Sequence, residues 1–311
     1  MRPAWSMIFF TTLAGAAQGL MLGLVALDAA VALGLLPAPK GPLFVTGAVV
    51  VLVLGAAGLV AATFHLGRPK RAWRAASQWR TSWLSREVIV LPAFLATTLA
   101  WGVAQWQGGT TFWLGLLAAL LALALYLCTG MIYAAVGVIR EWASPLTPLN
   151  FTLLGLASGL TLGAALVAFH APALLPWAAG AAAVATVLGA ITRGASTWRN
   201  ATLAPRSTVQ SALGIRHPRI VQSSQGTLGG SFGTREFSHG AAPDLLPRLR
   251  WGVAVAAFVL PVIVLATQGG RLPGVLLAAL ALLQWAGLLG ERWLFFAEGR
   301  HPQNLYYQRM G

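Results

Sequence analysis

Eight long apolar runs separated by polar breaks set the pattern of this chain. They cover roughly residues 7–34, 43–64, 88–105, 112–139, 151–169, 175–192, 251–267 and 274–295. Each is continuous, and most approach the ~20 residues that a helix needs to cross hydrocarbon. A spanning β-barrel would instead show strands of roughly 10 residues with alternating polarity. The pattern therefore predicts an all-α polytopic membrane protein with eight transmembrane helices. Arg2 ahead of the first run imitates a signal peptide. That run is far longer than a signal core and no persuasive cleavage site follows, so it is read as a retained helix.

Composition agrees: 57% of the 311 residues are hydrophobic and 9% are charged, against about 25% charged in a soluble domain. The net charge of +14 raises the question of which loops carry it. If the runs alternate across a bilayer, Lys40 and Arg271 are the two basic residues on one side, and the rest of the 21 Lys and Arg fall on the side of the N-terminus. Positive charge collects on the cytoplasmic side. The asymmetry supports eight spans, with both termini cytoplasmic, in the inner membrane. It also makes nucleic acid an unsuitable partner, although Trp73 and Trp79 interleave with arginines.

A faint internal repeat links WQGGTTFWLGLLAALLALAL (106–125) with TQGGRLPGVLLAALALLQW (267–285). Four helices per half return the chain to the same side, so this predicts a parallel repeat of two four-helix bundles, 1–150 and 151–311. Two basic loops, 65–87 and 193–250, would then be equivalent. The second is long and Gly/Ser-rich, yet carries Leu213, Ile215, Ile220, Val221, Phe232 and Phe237, which suits docking against a partner better than a bare linker. Trp5, Trp83, Trp101, Trp106, Trp113, Trp142, Trp177, Trp251 and Trp293 lie near run ends, as an interfacial indole belt would.

Ionisable groups inside a membrane are the first candidates for chemistry, because burying charge is costly. Asp28 lies near the far end of the first run, where a helix-terminal role outweighs a proton path. No acid lies well inside spans 2 to 8, which argues against a proton pump. Cys128, the single cysteine, cannot ligate an iron–sulfur cluster alone and is read as a packed core residue. His65 and His170 sit at opposite membrane faces, roughly 30 Å apart, so they cannot share a haem. His65 and Glu87, by contrast, close and open neighbouring spans on the same side. A quinone taking up two electrons also takes up two protons, and imidazole and carboxylate can donate and relay them. The spacing alone equally suits an interfacial His beside a Glu–Arg pair.

HLGRPKRAWRAASQWRTSWLSREV (65–88) and the tail ERWLFFAEGRHPQNLYYQ (291–308) resemble the eight-helix anchor subunits of the dimethyl sulfoxide reductase family. The likeness covers essentially the whole chain. The resemblance implies a three-subunit complex. A catalytic subunit with a molybdenum bis-guanylyl cofactor and a subunit with four iron–sulfur clusters would dock on an anchor that binds ubiquinone or menaquinone and carries no haem. It places the quinone at His65 and Glu87, with Arg86, Trp83 and Arg71 around it. Arg68, Lys70, Arg74, Arg80, Arg235 and Glu236 would face the partners. RHPRIVQSSQGTLGGSFGTREFSHG (216–240) further resembles anchors of the cytoplasmic, sulfite-oxidising branch, which implies electron flow from sulfite to quinone. A quinol-oxidising S- or N-oxide reductase anchor, a transporter and a scaffold that binds no quinone are the competing readings.

Overall fold

The computed structural model describes residues 4–64, 66–204, 207–220 and 244–300. Among these there is no strand, and eight helices are long and apolar enough to cross a membrane. They are α1 (Trp5–Ala32), α2 (Leu43–Thr63), α3 (Trp83–Gln107), α4 (Phe112–Ala134), α5 (Leu146–His170), α6 (Leu175–Ala201), α7 (Leu245–Thr267) and α8 (Gly274–Ala297). The all-α, eight-span architecture is the one the apolar runs predict. The connections α2–α3, α4–α5 and α6–α7 share one end of the bundle, called here the basic face. The other four connections make the opposite face.

The helix ends depart from the apolar runs where polar turns find partners. Helix α3 begins at Trp83, so Arg86 and Glu87 lie inside it rather than in a loop. Its N-cap is Ser82, whose hydroxyl accepts the Ser85 amide at 3.4 Å, satisfying one orphan donor of the first turn. Helix α6 runs on to Ala201 and α7 starts at Leu245, which shortens the 193–250 loop at both ends. Between α2 and α3 the basic stretch folds as 3-10 turns, Pro69–Gln78.

Helix α1 lies at the centre and packs on α2, α4, α5 and α8. Its contact with α5 is backbone to backbone. Gly15 and Gly19 face Gly155 and Gly159, and a Cβ at Gly19 or Gly159 would run into main-chain atoms across the interface. Small residues four apart on both helices permit that approach, the packing mode membrane helices use where hydrophobic burial gives no advantage over lipid. The Tyr126 hydroxyl on α4 donates to the Gly15 carbonyl at 2.7 Å and ties in a third helix. The two QGG segments end α3 and α7 on the opposite face. Outward-facing Val49, Val53, Leu99, Leu120, Ile191 and Ile263 are exposed, a surface suited to lipid rather than water.

Helix α7 contains a wide π-turn at Val255–Val259. Pro261, lacking an N–H, cannot bond the Ala257 carbonyl four residues back. Buried Gln284 of α8 supplies the missing donor, its amide reaching the Ala257 oxygen at 3.2 Å and the Thr186 hydroxyl at 3.1 Å.

Candidate functional site

Glu87 occupies the second turn of α3, about 6 Å along the axis from the helix start. It is 4% exposed. The Thr129 hydroxyl on α4 donates to its Oε1. No cation pairs with it among the described residues. Cys128 and Tyr133 of α4 lie within electrostatic reach of this carboxylate. The Tyr133 ring stacks on Phe151 with centroids 5.3 Å apart, and its hydroxyl is buried without a partner among the described residues. Arg86 turns away from Glu87. Its Nε donates to the Trp79 carbonyl and its Nη2 to the Arg80 carbonyl, both at 2.9 Å, and its guanidinium lies 4.2 Å from the centre of the Trp83 ring. Arg86 thus fastens the end of the basic segment to the first turn of α3, beside the wall that holds Glu87.

A second buried charged group lies at the same face between α6 and α8. The Arg193 Nε pairs with Glu291 Oε1 at 2.8 Å, and Arg292 Nε with Glu291 Oε2 at 2.6 Å. Glu298, just past α8, bridges Arg193 at 3.3 Å and half-exposed Arg250 at 2.9 Å. Glu291 is 1% and Arg292 4% exposed. The Arg292 guanidinium lies 4.0 Å from the Phe151 ring centre, and its two terminal nitrogens have no acceptor among the described residues. A cavity of about 10 Å³ adjoins them, lined in part by Thr147, Asn150, Ser196 and Arg193. This cluster corrects the expectation that no acid lies well inside spans 2 to 8.

The sequence profile of the DMSO reductase anchor subunit (DmsC) family matches residues 1–297. The chain belongs to the DmsC anchor family. It is similar to the C subunit of the sulfite dehydrogenase from Allochromatium vinosum, with 48% identity over 326 residues covering 99% of each chain.

In this DmsC-family anchor the residues singled out by sequence divide three ways. Glu87, Arg86 and Trp83 share the start of α3, although Arg86 binds backbone carbonyls instead of completing a Glu–Arg pair. Arg71 is exposed on the Pro69–Gln78 turns, as are Lys70 and Arg74; Arg68 just before them and Arg80 just after are exposed too. Arg74 and Arg80 lie over the rings of Trp73 and Trp79 at 5.9 and 5.3 Å. His65, Arg235 and Glu236 lie outside the described residues. Asp28 accepts a hydrogen bond of 2.9 Å from Thr111, the N-cap of α4, so it joins two helix ends. Two residues leave the expected indole belt: Trp101 is fully buried against Phe44, and Trp142 is buried and donates to the Phe295 carbonyl at 3.0 Å.

Sequence reasoning missed Arg193, Glu291 and Arg292. A signal existed: ERW lies in register with the apolar run of α8, and Arg193 directly follows that of α6. Reading the α6 run as ending at 192, and counting Arg292 with the charges that flank the last span, hid it.

Proposed function

We propose that this anchor binds quinone at the Glu87 end of α3, on the cytoplasmic side of the inner membrane. There it passes electrons from sulfite oxidation to the quinone. Sulfite and water would give sulfate, two protons and two electrons in a molybdenum-bearing partner, and an iron–sulfur partner would carry the electrons to this chain. The quinone is the co-substrate that accepts them, together with two protons.

The observation that carries this reading is the carboxylate of Glu87, buried one turn inside α3 and held, among the described residues, by a hydroxyl rather than a cation. Such a group can give up and regain a proton without breaking an ion pair. Its neighbours fit an aromatic headgroup. The Trp83–Arg86 stack forms a flat wall. His65, two residues beyond the end of α2 in the chain, would supply a donor to the second carbonyl, with Arg71 of the basic turns above it.

The name of the Allochromatium relative favours sulfite as the electron source. The distribution of Lys and Arg favours a cytoplasmic basic face. The exposed cations and indoles of the basic turns, with exposed Leu213 and Ile215, suit a docking surface for the iron–sulfur partner. With one cysteine in the chain, the clusters belong to that partner.

The test is sulfite-dependent reduction of a water-soluble ubiquinone analogue by the co-purified complex. His65→Ala should abolish it and leave sulfite oxidation with an artificial acceptor intact. Unchanged quinone kinetics would remove His65 from the site. Quinol-driven S-oxide reduction without sulfite activity would reverse the direction and keep the anchor role.

A further inference from the structure

Glu87 is buried, and a group that protonates quinone must be reloaded with each turnover. The residues around it offer a polar way out. Thr129 and Tyr133 are four apart on α4 and so share a face. Thr129 holds Glu87, and Tyr133 lies one turn nearer the basic face, within electrostatic reach of both Glu87 and Arg292. Tyr133 sits among Trp142, Phe151, Phe295 and Phe296. A phenylalanine would fill that aromatic nest equally well, and the hydroxyl has no partner among the described residues to justify the cost of burying it.

Beyond Tyr133 the polar groups continue. Among the described residues the terminal nitrogens of Arg292 and the Asn150 Oδ1 are buried and unpartnered, and both residues line the cavity of about 10 Å³. That is room for one water, which needs such partners to stay. The ion pairs of Arg193 and Glu298 then lead to half-exposed Arg250.

We infer that this chamber between α5, α6 and α8 is the proton entrance to Glu87, with Tyr133 as the connecting hydroxyl. This rests on the reading of Glu87 as the protonating group of the quinone site. Arginines do not release protons at working pH. Arg193 and Arg292 hold Glu291 and orient water, while that water, the Tyr133 and Thr129 hydroxyls and Glu87 carry the proton. Two protons pass inward for each quinone that gains two electrons.

The experiment compares Tyr133→Phe and Glu87→Gln in the purified complex, reading kcat and KM for quinone, the solvent isotope effect and the thermal unfolding midpoint. Tyr133→Phe should lower kcat about tenfold or more and raise the isotope effect. KM and the unfolding midpoint should not fall. Full turnover in Tyr133→Phe, or a loss that follows a lowered midpoint, overturns the route. If Glu87→Gln abolishes quinone reduction while Tyr133→Phe does not, the quinone site stands and protons enter directly past the start of α3. If Glu87→Gln turns over normally, the site reading falls and the route with it.

Discussion

Two carboxylates are buried at the basic face of this anchor, and their surroundings are opposite. Glu87 in the first half has a hydroxyl for a partner. Glu291 in the second half is clamped by Arg193 and Arg292. Equal burial therefore serves different ends. Glu291 is fixed in charge, because losing that charge would leave buried Arg292 uncompensated and Arg193 with Glu298 alone. A carboxylate held by a threonine can exchange a proton without breaking an ion pair. The contrast separates a structural ion cluster from the group proposed to carry chemistry.

The largest effect should come from removing the clamped acid. Glu291→Leu strands Arg292 and leaves Arg193 with Glu298 alone, and should cost about 3–5 kcal/mol, seen as a lowered unfolding midpoint and poor recovery of the complex. A variant as stable as the parent would erase the distinction. Glu87→Gln keeps an acceptor for Thr129, so the midpoint should hold while quinone reduction falls about a hundredfold. Sulfite oxidation with an artificial acceptor should persist. Equal loss with both acceptors would point to damaged assembly instead.

Gln284→Leu probes a buried polar group with no proposed chemistry. It leaves the Ala257 carbonyl without its donor and should cost about 1–3 kcal/mol, with quinone turnover unchanged in the complex that survives. Smallest of all, Arg86→Lys keeps the charge but loses the planar stack on Trp83 and should cost about 1 kcal/mol or less. A much larger loss of quinone affinity in that variant would move Arg86 into the binding site itself.

The eight spans, their alternation and the family were legible along the chain, because lipid demands long apolar helices and flanking charge records their order. Glu87 stood out too, since it opens a run beside a specific basic motif. The pairing of Arg193 with Glu291, the Thr129 hydroxyl at Glu87 and the burial of Trp101 were not legible. Arg193 and Glu291 stand almost a hundred residues apart, and the run of α6 ends on paper at Arg193. In the folded bundle α6 continues past that charge, and Glu291 of α8 brings it a counter-ion. Hydrophobicity decides which segments enter the membrane; which polar groups meet inside depends on how closely glycines such as Gly19 and Gly159 let the helices approach.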